Sequence, residues 1–177
     1  MTPLVPETIE TERLKLRQFT IEDTAAVARM LADPEVMRYL GGTPQTKDWE
    51  IWRSLTATLG HWALRGYGPY AVEEKGTGVV VGRVGLLHPV GWPGVEIAWT
   101  LNRPAWGKGY ATEAAAAVAR VGFGDLKADR LISLIDVRNV NSQRVAERLG
   151  AVREGTTDYF GADAITYVYR HDPARFR

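Results

Sequence analysis

Apolar and polar side chains alternate strictly through Arg13-Leu14-Lys15-Leu16-Arg17, the period of a half-buried strand. The rhythm then changes. Thr20 and Asp23 fit a capping-box start, with Ile21, Val27, Met30 and Leu31 as the apolar face of a short helix. Asp33-Pro34 ends it, because a residue before proline avoids the helical region. After a Gly-Gly-Thr-Pro break at 41–44, Trp49, Trp52, Leu55, Leu59 and Trp62 recur at helical spacing until Gly66 and Gly68. On this pattern the tryptophans serve mostly as core or wall.

Beyond Gly68 the chain reads as strands. Tyr70–Glu74, Val79–Leu87 and Val95–Leu101 are rich in β-branched and aromatic residues, separated by turn-like Lys75–Gly78 and Pro89–Gly94. An alanine-rich helix follows over about Tyr110–Phe123, with Gly124 in the position after its C-cap. Leu131–Val137 reads as a buried strand and Asn141–Leu149 as a short helix closed by Gly150. Ala151–Thr157 and Ala164–Arg170 complete the strands. No repeat or long linker divides the chain. The expectation is one α+β domain over residues 1–177, with a mixed, twisted, mostly antiparallel sheet of about six to seven strands flanked by helices.

Composition narrows the chemistry. The chain has 177 residues and no cysteine, which excludes a disulfide framework, a thiolate nucleophile and a cysteine-based zinc site. A net charge of +1 does not suit a dedicated nucleic-acid binder. Arg83 interrupts the most apolar stretch, so no window approaches the roughly 20 apolar residues of a membrane span. Met1 to Glu12 lacks the features of a secretory signal, and a cytoplasmic location is expected. His61, His88 and His171 have no ligand spacing, so no metal is expected.

The informative stretch runs from Glu96 to Ala114: a strand, a bend, two closely spaced glycines and a helix start. The first amides of a helix lack internal partners, and the helix dipole adds partial positive charge. Gly107 and Gly109 would let a phosphate approach that backbone, and Lys108 adds a cation. The P-loop pattern fails because Tyr110 follows Gly109, and a dinucleotide fingerprint fails at Thr112. A glycine turn that merely joins strand to helix remains the bland reading.

Trp106-Gly107-Lys108-Gly109-Tyr110-Ala111 resembles the acyl-CoA pyrophosphate loop of the GNAT superfamily of N-acetyltransferases, Q/R-x-x-G-x-G/A. Trp106 departs from the usual first position. That departure, with the intact run Trp106 to Ala114, is similar to the branch of ribosomal-protein N-terminal acetyltransferases. Thr11-Glu12-Arg13-Leu14, Asn139-Val140-Asn141-Ser142 and Leu149-Gly150 match the same branch, so the resemblance covers about residues 10–170.

This resemblance implies a GNAT fold and transfer of acetyl from acetyl-CoA, a cosubstrate, to a primary amine acceptor in a ternary complex. Carried over by position, the main chain of Trp99, Thr100 and Leu101 would hold the pantetheine arm. The amides of Trp106, Gly107, Lys108, Gly109, Tyr110, Ala111 and Thr112 would hold the pyrophosphate. Asn139 would bond the pantetheine, and Ser142 would lie near the sulfur. The branch favours a peptide or protein α-amine, with a small-molecule amine as the other class and either a monomer or a homodimer as the assembly.

The chemistry asks for matching groups. An amine attacks a thioester only when unprotonated, so a carboxylate must take a proton, and Glu96 stands at the start of the relevant strand. Ser142 could protonate the departing thiolate. Each has a rival reading. Glu96 could be an exposed strand-end carboxylate; Asn139, Asn141 and Ser142 are all good N-cap residues; Glu113 could simply complement the helix dipole. A catalytically silent acyl-CoA-binding regulatory protein is the alternative function. Acceptor choice falls to the helix after Asp33 and the 88–95 and 158–163 loops. Arg38 and Lys47 there offset Asp33, Glu35, Asp158 and Asp163, which disfavours a polycationic acceptor.

Overall fold

A computed structural model describes residues 2–40, 42–158 and 165–176. The strands are β1 (Thr8–Glu10), β2 (Leu14–Arg17), β3 (Pro69–Glu74), β4 (Val79–Leu87), β5 (Val95–Leu101), β6 (Leu131–Asp136), β7 (Val152–Thr157) and β8 (Thr166–His171). The helices are α1 (Thr24–Ala32), α2 (Pro34–Met37), α3 (Asp48–Arg65), α4 (Tyr110–Gly124) and α5 (Val140–Arg148). All eight strands form one sheet in the order β1-β2-β3-β4-β5-β6-β8-β7, antiparallel except where β5 meets β6. The eighth strand beyond the expected six to seven is β1, three residues long and too short to declare a period.

Alternation along the strands divides the core between two faces. Val72, Val84, Leu86 and Ile97 pack against the small buried side of α4, including Ala114, Ala115, Val118 and Ala119. Small residues there let the helix axis approach the sheet. On the other face Ala71 and Val80 meet Val27, Met30, Leu31, Ile51 and Leu55 from α1 and α3. Arg83, Leu87, Glu96 and Thr100 have the strand parity of this second face.

Local signals explain most boundaries. Thr20 and Asp23 form the reciprocal capping box, although the first turn is a 3₁₀ turn over Ile21–Asp23 and Ile21 is exposed. Asp33 ends α1, and its carboxylate accepts from the Glu35 amide to cap α2, where Pro34 occupies the first turn. Gly66 terminates α3 with φ +74°.

Several expectations need correction. Trp49 and Trp52 are exposed, because the buried stripe of α3 is Ile51, Leu55, Thr58 and Trp62. Helical spacing identifies a helix but not which of two stripes faces inward. Gly124 belongs to α4, and Lys127 takes the left-handed conformation three residues later at φ +54°. The α5 helix starts at Val140, not Asn141, with Asn139 as its N-cap, and β6 ends at Asp136, one residue before Val137. Ala164, Asp163 and residues 159–162 lie outside the described residues.

Candidate active site

The parallel strands β5 and β6 pair only at Val95–Leu131 and Glu96–Ile132, then separate. Separation strips backbone groups of their ladder partners, and buried groups need replacements. Ser133 Oγ donates to the Ile97 carbonyl at 2.7 Å, and the Leu134 amide donates to Glu96 Oε1 at 3.2 Å. Since the Ser133 proton is committed to Ile97, His171 Nε2 donates to Ser133 Oγ at 2.9 Å. Burial pulls the His171 pKa down to about 4, so the ring is neutral near pH 7, with its proton on Nε2 and its Nδ1 without a hydrogen bond.

Glu96 is buried, not an exposed strand end, with 6% of its surface accessible. Burial pushes its pKa up to about 7, against the opposing effect of hydrogen bonds from Trp92 Nε1 at 2.8 Å and from the Leu134 amide. A carboxyl poised there takes up and releases protons near neutrality, the property wanted in a general base.

Glu96 lines a cavity of about 300 Å³ together with Arg38, Tyr39, Arg83, Trp92 and Ser142. Trp99, Thr100, Asn139 and Ser142 also line a neighbouring groove of about 1010 Å³. That groove continues along Leu101 and Trp106 to Glu113. The candidate catalytic and cofactor-binding residues thus meet around two adjoining spaces. Trp99 Nε1 donates to Ser142 Oγ at 3.2 Å, and the Ser142 amide donates to Asn139 Oδ1 at 3.1 Å. Asn139 is thereby the N-cap of α5, and its Nδ2 donors take no part in the cap.

The far end of the groove is built for anions. Gly107 (φ +76°) and Gly109 (φ +83°) are left-handed, a conformation that L side chains resist. A Cβ on Gly107 would meet nothing, so its missing side chain serves backbone shape and open approach. Tyr110, Ala111 and Thr112 begin α4, and their amides have no intrahelical acceptors. Trp106 Nε1 donates to the Leu101 carbonyl at 2.8 Å, tying the loop back to β5. The Tyr110 side chain is buried, and its hydroxyl bonds to Glu74. Arg144 and Arg148 on α5 add cations beside Lys108, and neither is in an ion pair among the described residues.

Sequence reasoning missed the support of this loop. Arg13 Nη1 donates to the Lys108 carbonyl at 2.9 Å. Its Nε and amide donate to the Glu113 carboxylate at 2.7 and 2.9 Å, and Thr11 Oγ1 donates to the same carboxylate at 2.6 Å. Glu113 therefore clamps the chain at 11–13 to the start of α4, a role beyond complementing the dipole. Both runs, Thr11–Leu14 and Thr112–Ala114, were visible; their contact across 100 residues was not. Among the described residues no cluster of three or more metal-ligand side chains occurs.

A sequence profile of the acetyltransferase (GNAT) domain matches residues 13–152, which takes in Glu96, the glycine loop and α5. The chain belongs to the GNAT acetyltransferase family. It is an acyltransferase. Relatives agree: it is 32% identical over 151 residues to the uncharacterized N-acetyltransferase p20 of Bacillus licheniformis, spanning 84% of each chain. It is 34% identical to the uncharacterized protein YkkB of Bacillus subtilis, over 79% of this chain and 82% of that one. Among solved structures, an acetyltransferase from Agrobacterium tumefaciens superposes with TM-score 0.83 at 31% identity, covering 95% of both chains.

Proposed function

We propose that this GNAT domain, a single unit over 1–177, transfers acetyl from acetyl-CoA to a primary amine. The carrying observation is a buried, neutral-range Glu96 in a cavity that shares Trp99, Thr100, Asn139 and Ser142 with the groove lined by the left-handed glycine loop. The groove suits such a cosubstrate: an elongated space, unpaired helix amides and three cations at one end, and a strand edge with separated donors and acceptors at the other. Acetyl-CoA supplies a thioester whose acyl carbon an amine can attack.

The protein's own groups do the rest. The β5 main chain at Trp99, Thr100 and Leu101 aligns the arm, assisted by Asn139, and the amides from Trp106 to Thr112 bind the phosphates. Glu96 accepts the proton that the attacking amine gives up. As the new C–N bond forms, a freed β5 amide stabilises charge on the acyl oxygen. As the C–S bond breaks, the Ser142 hydroxyl protonates the leaving sulfur and regains its proton from solvent. No covalent acyl-enzyme is needed. The run Trp106–Ala114 supports placement in the ribosomal-protein acetyltransferase-like branch. The buried, catalytically poised Glu96 counts against a silent acyl-CoA-binding protein.

Thermal shift tests the cosubstrate. At 100 times its dissociation constant acetyl-CoA adds about 2.7 kcal/mol. For a domain of this size that raises Tm by several degrees, at roughly 2–4 °C per kcal/mol. NAD and ATP at equal concentration do far less, and equal shifts from all three would sink the assignment.

A further inference from the structure

Arg83 interrupts the apolar run of β4, and nothing in the transfer chemistry above uses it. It sits opposite Thr100 on β5, four residues along from Leu87, which sits opposite Glu96. All four share the face covered by α1 and α3, with Arg83 and Glu96 about 13 Å apart along the strands at Cα. Both side chains line the same cavity. Arg83 lines the Glu96 cavity but not the groove, so it is not placed for the phosphates.

Among the described residues the Arg83 side chain has no hydrogen bond, ion pair or ring contact. A partly buried guanidinium without a partner is costly, and burial pulls its pKa below the ordinary value, though it stays protonated. The cavity does not neutralise it. Asp136 is engaged by Arg138 through both oxygens, and Glu96 is half neutral near pH 7. Arg38, stacked on Tyr39 and only loosely paired with Glu35 at 3.5 Å, adds a second cation to the lining.

We propose that Arg83 binds a carboxylate of the acceptor, so that the substrate is a primary amine that also carries a carboxylate. A planar guanidinium matches a carboxylate through two parallel hydrogen bonds. One end of the substrate is then fixed at Arg83 while its amine faces Glu96. This rests on the acetyltransferase reading and narrows its acceptor to amino acids and acidic amines.

Matched pairs decide it: L-amino acids, β-alanine and γ-aminobutyrate, each beside its carboxamide, with CoA release measured by a thiol reagent and binding by calorimetry. The carboxylate member of at least one pair should be preferred by tenfold or more in kcat/KM. Arg83→Gln should raise its KM by roughly tenfold to a hundredfold, the scale of losing a charge-assisted pair, and bring the ratio near one. Arg83→Lys should restore part of the preference, and the acetyl-CoA thermal shift reports whether each variant is folded. Acetylation without preference overturns the carboxylate site and leaves the transferase intact. Arg83-dependent carboxylate binding with no acetylation supports the site and overturns the transferase reading. Absence of both binding and acetylation across the panel overturns the site.

Discussion

Replacing Glu96 with glutamine should strengthen the fold at alkaline pH while disabling the reaction. A carboxyl lifted from 4.5 to about 7 carries a penalty of about 3 kcal/mol against its ionised form. Between those two pH values the unfolded chain has released the proton that the native state keeps. The native state binds more protons there, so stability falls as pH rises and the full penalty applies above pH 7. Glutamine has no such dependence. Its single oxygen can replace only one of the two acceptors that Trp92 Nε1 and the Leu134 amide now use, and its NH₂ accepts neither bond, which costs about 1–2 kcal/mol at every pH. The variant should therefore be less stable than the parent at pH 5 and more stable at pH 8. The gain at pH 8 is about 1–2 kcal/mol, or about 2–8 °C in Tm. Turnover should drop by roughly 10²-fold or more, and the rise of kcat/KM through about pH 7 should disappear. Scanning fluorimetry from pH 5 to 9 and CoA release over the same range read both effects. A Tm difference that is constant with pH would refute the buried-carboxyl argument, and an unchanged pH–rate profile would remove Glu96 from proton transfer.

Gly109→Val places a β-branched residue at φ +83°, with its Cβ 3.4 Å from the Arg13 guanidinium. The acetyl-CoA thermal shift should vanish, and a normal shift would show that the loop is only a turn. Arg13→Ala releases the Lys108 carbonyl and one side of Glu113. KM for acetyl-CoA should rise several-fold with a much smaller change in kcat, as steady-state kinetics will show. Ser142→Ala should cost less than Glu96→Gln, with the loss largest for poor thiol leaving groups, measurable by comparing acyl thioesters.

The sheet was readable where β-branched and aromatic residues crowd together between turn-like breaks. Val79–Leu87 and Val95–Leu101 match their strands end to end. The glycine loop was equally readable, because left-handed backbone leaves a direct compositional trace. What stayed hidden depends on tertiary position. Nothing local distinguishes a Glu96 at an exposed strand end from one sealed beneath Trp92, yet that difference moves its pKa to about 7. Arg83 read only as an interruption of an apolar run, because the absence of a partner is visible only once every neighbour is placed. Exposed Trp49 and Trp52 show the same gap in the helices: both stripes of α3 are apolar enough to be chosen.

The fork between β5 and β6 also determines how the sheet opens. Two paired positions join β1–β5 to the block of β6, β8 and β7, whereas six pairs join β4 to β5 and six join β6 to β8. Amide exchange should therefore divide the strands into two separately protected blocks, with the junction opening locally. An extended chain entering the fork meets backbone groups that are already apart. It adds rungs to the ladder without breaking any, and the two blocks become one continuous unit as the gap fills.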